Sequence, residues 1–594
     1  MPQRLAALQG MQAARRLLRL VGEVKVRLHS AVLLDIVSVG RRRWRLAGLE
    51  RTTRFRRAIS IATLCVLSLW HGAGNAAGAE LSYGRQVILN RGLQIQALAF
   101  VTSTPGTLTN YPLWGSAHFT AFCSWYDQNS EKTLGWTMPW SRWMRTDDSN
   151  PLTSNELTKH LSELVSLQYG DELNQDGTGT IDAATLSTMA AKYATWHSQC
   201  GSNLLVFSNF GANNSSKTMT ATGLANYKQA TNPDMLMFDA YPRHYVTFST
   251  WYAEMQKYRI AGLAGNDGTG RQPIPYGQYL DLYRGTWGEA LPSESFVRLQ
   301  EFASWAFGYA LVTAFVYNNP NNTTVYPTLF SSDDDSQPTA VFNQVAEANR
   351  QGLNLGPALI RLTSTDICMS PGTGNSLPAG LSAWAQGAGG NNYITAIIPI
   401  QSPGGANSTT YSDVLIGYLE PLLADNRDYP FADGTHFMIV NGARSGTVAA
   451  QAQWYHLVFD FGASGFDSLQ RLSHDTGQVE FIPLMHLTGS QYSLDWNLEG
   501  GTGDLFRFWN TRAPVPTIIY PPCLDAKGNL VVSGTNVTGM TGGAYSVLSS
   551  TNVNAPLTAW TTNTTGVFGD GGSFTNAIAP STSDRQRFFT IKTP

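Results

Sequence analysis

Between residues 92 and 356 short apolar runs alternate with amphipathic segments eight times over, and after Leu362 the helical period disappears. That change of texture constrains the fold more than any other feature. The expected strands are Leu93–Val101, His118–Tyr126, Leu134–Trp140, Leu164–Tyr169, Asn203–Asn209, Asp234–Ala240, Pro273–Tyr279 and Leu311–Tyr317. They are short, apolar and bounded by turn residues, as parallel strands buried on both faces should be. Ala183–Ser198 places Leu186, Met189, Ala190, Tyr193 and Trp196 on one helical stripe, and Thr250–Leu263, Ser293–Phe307 and Thr339–Leu353 follow the same pattern. Eight such repeats predict an α/β chain with a (β/α)8 TIM barrel. A doubly wound sheet is the competitor, but no GxGxxG follows the first strand.

Beyond residue 362, Val414–Leu419, His436–Asn441, Gln453–Asp460, Val479–Pro483 and Asp504–Trp509 read as strands separated by turns, an all-β sandwich. The expected division is therefore a leader over 1–79, a barrel over 80–360, a sandwich over 361–510, and a small β module or extended tail over 511–594.

Charge separates the leader from the body. Residues 1–57 carry 14 Lys+Arg against 3 Asp+Glu, a net of +11, which leaves −13 for the rest of a chain whose formal total is −2. An acidic body is a poor binder of polyphosphates, which argues against nucleic acid as a partner. Charged residues are only 14% of the chain and aromatics 11%, the opposite of a disordered composition. Arg51, Arg54, Arg56 and Arg57 precede a largely apolar run from Ala58 to Trp70, and small residues ending Ala77-Gly78-Ala79 follow. This is the pattern of a secretory signal peptide cleaved before Glu80, for a secreted or periplasmic protein. The run is too short to span a bilayer, so no stable membrane span is expected after cleavage. The mature chain keeps Cys123, Cys200, Cys368 and Cys523, which allow two disulfides of unspecified pairing. Sequons occur at Asn213, Asn214, Asn321, Asn322, Asn407, Asn536 and Asn563, as an Asn- and Thr-rich chain produces by chance.

In a barrel, chemistry belongs to polar residues at the C-terminal strand ends. Strand four ends Gln168-Tyr169-Gly170-Asp171-Glu172, two carboxylates leaving an apolar run. An acid half-buried beside another carboxylate has its pKa raised, as protonation of a glycosidic oxygen requires. Strand six ends Asp239-Ala240-Tyr241, an acid and an aromatic at the mouth. The end of strand seven carries Gln278, which can only hydrogen-bond, with Asp281 three residues on. Trp125, Tyr126, Trp136, Trp140 and Trp143 crowd the early loops, where flat rings suit the apolar faces of sugars. Asn174 to Asp182 imitates the start of a calcium loop, but the twelfth position from Asn174 is Thr185, where a bidentate Glu is needed. Asp333, Asp334 and Asp335 read as a solvated turn, and His244 and His474 as loop or surface residues without metal-ligand spacing. No metal and no cofactor is expected: there is no CxxC pair, Walker loop, GxSxG elbow or HExxH.

On these residues, on Leu291–Gln300, Phe307–Ala310 and Phe315–Tyr317, and on Leu469–Gly477 and Gly500–Phe506 of the β region, the chain resembles the retaining (β/α)8 glycoside hydrolases of families 5, 39 and 42. The resemblance covers about residues 90–510 and is one of pattern. It implies an acid/base Glu ending strand four, usually after Asn, and a nucleophilic Glu ending strand seven. Glu172 matches the first position, with Asp171 in place of the Asn. Gln278 does not match the second. Three accounts follow: Asp281 is the acid of strand seven, Asp239 is the second carboxylate, or the barrel holds a glycan without cleaving it. The leading expectation is a secreted glycoside hydrolase acting on a poly- or oligosaccharide, with Glu172 as general acid and Asp239 as its partner. Asp171, Tyr241, Gln278, Asp281, Trp125, Trp136 and Trp140 would line the cleft. The alternative is a non-catalytic carbohydrate-binding or surface-structural protein on the same barrel.

Overall fold

The computed structural model describes residues 81–593 apart from 100–110, 125–137, 148, 150, 174–176, 213–217, 320–323, 333–334, 388–392, 424–425, 427, 512–516, 537–543, 554 and 580–585. The leader with its cleavage site, Trp125, Trp136 and the start of the expected third strand lie outside them.

A nine-residue helix, α1 (Tyr83–Arg91), leads into eight parallel strands. They are β1 (Gln94–Ala99), β2 (Ala121–Ser124), β3 (Trp140–Met144), β4 (Leu164–Tyr169), β5 (Leu205–Phe207, resumed as Asn209–Gly211), β6 (Leu236–Asp239), β7 (Tyr276–Asp281) and β8 (Leu311–Asn318). The order around the sheet starts on the first half of β5, runs through β4, β3, β2, β1, β8, β7 and β6, and finishes on the second half of β5. Only Ser208 separates the two halves, so the sheet returns to its own starting strand as a barrel must. Ser208 is held by both flanking helices: Tyr193 Oη lies 2.8 Å from its Oγ, and its N–H donates to Tyr227 Oη at 3.1 Å. Its Oγ donates to the Tyr169 carbonyl of β4 at 2.8 Å, which stitches the interruption to the neighbouring strand.

The helices α2 (Tyr111–Ser116), α3 (Ser154–Lys159), α4 (Ala183–Cys200), α5 (Ala221–Thr231), α6 (Phe248–Leu263), α7 (Glu294–Phe307) and α8 (Ala340–Leu359) ring the barrel. The last five begin where Asp182, Thr220, Thr247, Ser293 and Thr339 accept hydrogen bonds from first-turn N–H groups, which end-capping chemistry favours. Two strands depart from expectation. β3 lies at Trp140–Met144 rather than Leu134–Trp140, because its Arg142 is buried against Glu156 of α3 at 2.5 Å and no longer counts as polar. β7 runs on to Asp281, so Gln278 sits in mid-strand rather than at the end.

Antiparallel sheets follow. One orders β9 (Leu362–Ser370), β11 (Asp413–Pro421), β12 (His436–Gly442), β18 (Gly503–Trp509), β14 (Ser468–Leu472) and β15 (Val479–Pro483), with the short strand Ser382–Ala383 at its edge. The second orders β10 (Ile394–Ile400), β13 (Gln453–Asp460), β17 (Gln491–Leu498) and β16 (Met485–Thr488). Val414, Ile416, Phe437, Phe506 and Phe508 of the first sheet share a core with Ile394, Leu457 and Phe459 of the second, which makes the pair a sandwich. Leu415, Leu419, Met438, Val440 and Leu505, the alternate residues, belong instead to the barrel's core. The first sheet is thus buried on both faces, which is why Val414–Leu419 reads as an unbroken apolar run. Helix α7 lies between barrel and sheet and buries residues on every side, as a helix in that position must.

The terminal residues form a smaller β unit with its own core of Val532, Tyr545, Val547, Phe568, Phe574 and Ile578. Its longer strands are β19 (Leu530–Asn536), β20 (Ala544–Ser550), β21 (Thr561–Val567), β22 (Ser573–Ile578) and β23 (Phe588–Lys592). Cys123, Cys200, Cys368 and Cys523 are free thiols, so the two disulfides that their number allows are not formed between them. Among the described residues no helix is long and apolar enough to cross a membrane.

Candidate functional site

The C-terminal ends of β4, β5 and β6 bring three carboxyl groups together. β4 is buried along its length and stops at Gly170, whose φ of +60° suits glycine and where a Cβ would sit 2.7 Å from Thr146 Cγ2. Glu172 also has positive φ, +44°, so the chain doubles back and swings this side chain across the barrel mouth. The Glu172 carboxyl comes to rest against Gly211 at the end of β5, where a Cβ would meet Oε1 at 2.6 Å. No other residue type leaves that space.

Asn209, the first residue after the break in β5, supplies the bridge. Its Nδ2 donates to Asp171 Oδ1 and to Asp239 Oδ1, both at 2.9 Å, so these two oxygens lie no farther apart than twice that distance. Asp239 also shares a hydrogen bond with Glu172. Below them Gln168 Nε2 donates to the Gly170 carbonyl at 3.0 Å, and Tyr279 Oη donates to Gln168 Oε1 at 2.6 Å. Tyr241 closes one side, stacked on Phe315 with ring centroids 5.4 Å apart.

The electrostatics follow from burial and from the closeness of the acids to one another. Burial, and then the Glu172 charge, push the Asp171 carboxyl up to about 7, against the lowering effect of the Asn209 amide. Asp239, 3% exposed, is raised well above the carboxylate range by burial first, then by Glu172 and Asp171. Both therefore favour the protonated form more than an exposed carboxyl does. Tyr241 is raised too, by burial and by the same acids.

Asp281 stands apart from this group. It is fully buried at the end of β7, its Oδ2 accepts the Arg243 backbone N–H at 2.9 Å, and its Oδ1 faces His244 Nε2 at 3.3 Å and Arg243 Nη1 at 3.8 Å. His244 stacks on Tyr283 at 4.0 Å and lies 3.5 Å from Glu289, so it is a packed, ion-paired residue rather than a loose loop histidine. Gln278 turns to the helix layer: it accepts from Trp251 Nε1 at 2.8 Å and donates to Ser304 Oγ at 2.7 Å. One-residue alternation explains this, since Tyr279 and Asp281 take the inner face of the same strand. Trp140 likewise points outward, its Nε1 donating to the His160 carbonyl at 2.8 Å, while Trp143 occupies the inner face of β3. His474 is buried and bonded to Asp504 at 2.9 Å, and Asp335 is buried near Tyr317 rather than solvated. Asp182 spends both oxygens on the first turn of α4. Among the described residues no cluster of His, Cys, Asp and Glu has the arrangement of a metal site.

No family model matches this chain, and no curated protein matches it by sequence. The solved structures it resembles include glycoside hydrolases. An endo-β-1,4-mannanase from Thermotoga petrophila is 10% identical over 75% of this chain and 96% of its own, with a TM-score of 0.29. An isomalto-dextranase from Arthrobacter globiformis T6 is 8% identical over 87% and 95%, with a TM-score of 0.35. A GH30 endoxylanase from Clostridium papyrosolvens C71 is 10% identical over 70% and 95%, with a TM-score of 0.27. Likeness at this level carries no argument about activity, and the barrel rests on its own strand order.

Asn209, Gln168 and Tyr279 escaped the sequence reading. Gln168 and Tyr279 are polar groups at inward positions of otherwise apolar strands, a signal that alternation offers once the strand register is known. Asn209 had no such signal, because its place depends on the break at Ser208.

Proposed function

We propose that this chain cleaves glycosidic bonds in a poly- or oligosaccharide, with Glu172 as the general acid and Asp239 as the partner carboxylate. The observation that carries the reading is the cluster of three acids, two of them bridged by one amide, with raised Asp171 and Asp239 carboxyls. Glu172 is the less buried of the catalytic pair and can reach a glycosidic oxygen; its hydrogen bond to Asp239 lets the two share the proton that the leaving group takes. Once that proton has left, the negative charge on Asp239 and Asp171 faces the developing oxocarbenium ion. The two carboxyl groups share a hydrogen bond, a closer approach than the ~5–5.5 Å of retaining pairs or the ~6.5–9.5 Å of inverting ones. Export before Glu80 is part of the proposal, and the N-terminal sequence of protein recovered outside the cytoplasm tests it.

The test of activity is product release from a panel of plant and microbial polysaccharides, comparing the protein from Glu80 onward with its Glu172→Gln variant. Release by the parent that falls by ~10²–10⁴-fold in the variant supports the assignment. Equal release by both discards Glu172.

A second reading has its own support. β7 ends on an acid already committed to Arg243 and His244, so a barrel that binds a glycan without cleaving it fits that strand. Saturable binding with no product from any member of the panel would favour it.

A further inference from the structure

The small terminal unit carries a lined cavity that the barrel's chemistry does not use. β20 pairs with β21 on one side and β23 on the other, with Ser546 opposite both Lys592 and Thr565, and Leu548 opposite Thr562 and Thr590. Paired residues share a face. Tyr545 and Val547 turn the other way, into the unit's core, so this face looks outward. The segment between β20 and β21 then folds over it with Leu557, Thr558 and Trp560. The result is a cavity of about 320 Å³, within the ~300–1,000 Å³ range of small-ligand sites.

Its lining has a particular chemistry. Trp560 is tied by its edge, Nε1 donating to the Ala555 carbonyl at 2.8 Å, which fixes the ring without using its faces. Leu557 is 55% exposed although it borders the cavity, apolar surface that a free β unit gains nothing by showing to water. Around these stand the hydroxyls of Ser546, Thr558 and Thr562 and a single charge, the Lys592 ammonium, with no carboxylate among the lining residues. A rigid aromatic wall beside several hydroxyls and one cationic donor complements a ring that is apolar on its face and hydroxylated at its rim. One ammonium is too little charge to select a polyanion.

We propose that this face is a second glycan-binding site, taking one or two rings of an uncharged polysaccharide with Trp560 as the stacking platform. It does not require the barrel to be catalytic. The test is retention of the full chain from Glu80 on insoluble neutral polysaccharides (cellulose, mannan, α-glucan and chitin), in 0.5 M NaCl to screen ion pairing. Trp560→Ala should weaken retention at least tenfold on the polysaccharide that holds the parent. Trp560→Phe should keep most of it, Glu172→Gln should keep all of it, and a parent-like thermal unfolding midpoint shows that the variants fold. If Trp560→Ala also releases product from soluble oligosaccharides as the parent does, the site is separate from the barrel's. Retention unaffected by Trp560→Ala, retention only at low salt, or no retention on any of the four overturns the proposal. So does a dimer that Trp560→Ala converts to monomer, which would assign the face to a second copy of the chain.

Discussion

Asp239 in the barrel and Asp504 in the sandwich are both carboxyls removed from water, and they titrate in opposite directions. Burial raises each. At Asp504 that effect is outweighed by His474 at 2.9 Å, by Arg471 at 3.4 Å and by the Trp496 Nε1–H at 2.7 Å, and the group ends below the usual carboxylate range. At Asp239 Glu172 and Asp171 add to the effect of burial against the Asn209 amide, and the group ends far above it. Burial alone therefore does not mark a reactive acid. The company of other acids does, because a carboxyl raised by like-charged neighbours costs stability, and a fold keeps such a group for another reason.

Removing the paired acid should have the larger effect on stability. Asp504→Ala takes the acceptor from His474 Nδ1 and Trp496 Nε1 and leaves Arg471 to Glu480, and should cost ~3–5 kcal/mol in urea unfolding. A loss under ~1 kcal/mol would show that the sandwich network is not held through Asp504, and would break the comparison. Asp239→Asn should do the reverse. It removes a like-charge contact and keeps the shape, so the unfolding free energy should stay within ~1 kcal/mol of the parent while product release falls by ~10²-fold or more.

The third prediction concerns pH. Asp171 is raised to about 7 from an ordinary value near ~4, so the folded state holds a proton that the unfolded state releases. Its contribution is most favourable below ~4 and is lost as pH rises towards about 7. Asp504, lowered in the folded state, contributes above its unfolded value and loses that contribution on acidification. Asp171→Asn should therefore raise the melting temperature more at pH 8 than at pH 5, and an equal rise at both would refute the shift. The smallest effect belongs to Asn209→Ala. Its amide lowers both Asp171 and Asp239, so removing it should move the acidic limb of the pH–release profile upward. An unmoved limb would mean that the bridge orients the acids without tuning them.

Much of the framework was legible in the chain. Leu164–Tyr169, Gln453–Asp460 and Val479–Pro483 are strands at the expected bounds, and α4 and α7 start where a capping Asp182 and Ser293 precede an apolar stripe. Strand three was misplaced because Arg142 reads as polar until Glu156 is brought to it from twelve residues beyond the strand's end. Strand seven was cut short because Leu280 and Asp281 look like the start of a loop, although Asp281 is buried by Arg243 and His244 from the preceding unit. The candidate acids at the ends of strands four and six could be named in advance, and Gln278 and Trp140 could be misassigned, for the same reason: a strand's end is visible in sequence, but its inward face is not.

By itself, the sequence determined the order of elements, the change from helical to purely β texture after Leu362, and which strand ends carry acids, since periodicity, capping and turn chemistry act over a few neighbouring residues. The tertiary structure decided which acids are paired. Asn209 bridges Asp171 and Asp239 across three strands, while Asp281 lies against Arg243 and His244. A carboxyl's charge state depends on whatever lies within a few ångströms of it, and those neighbours come from segments tens of residues away.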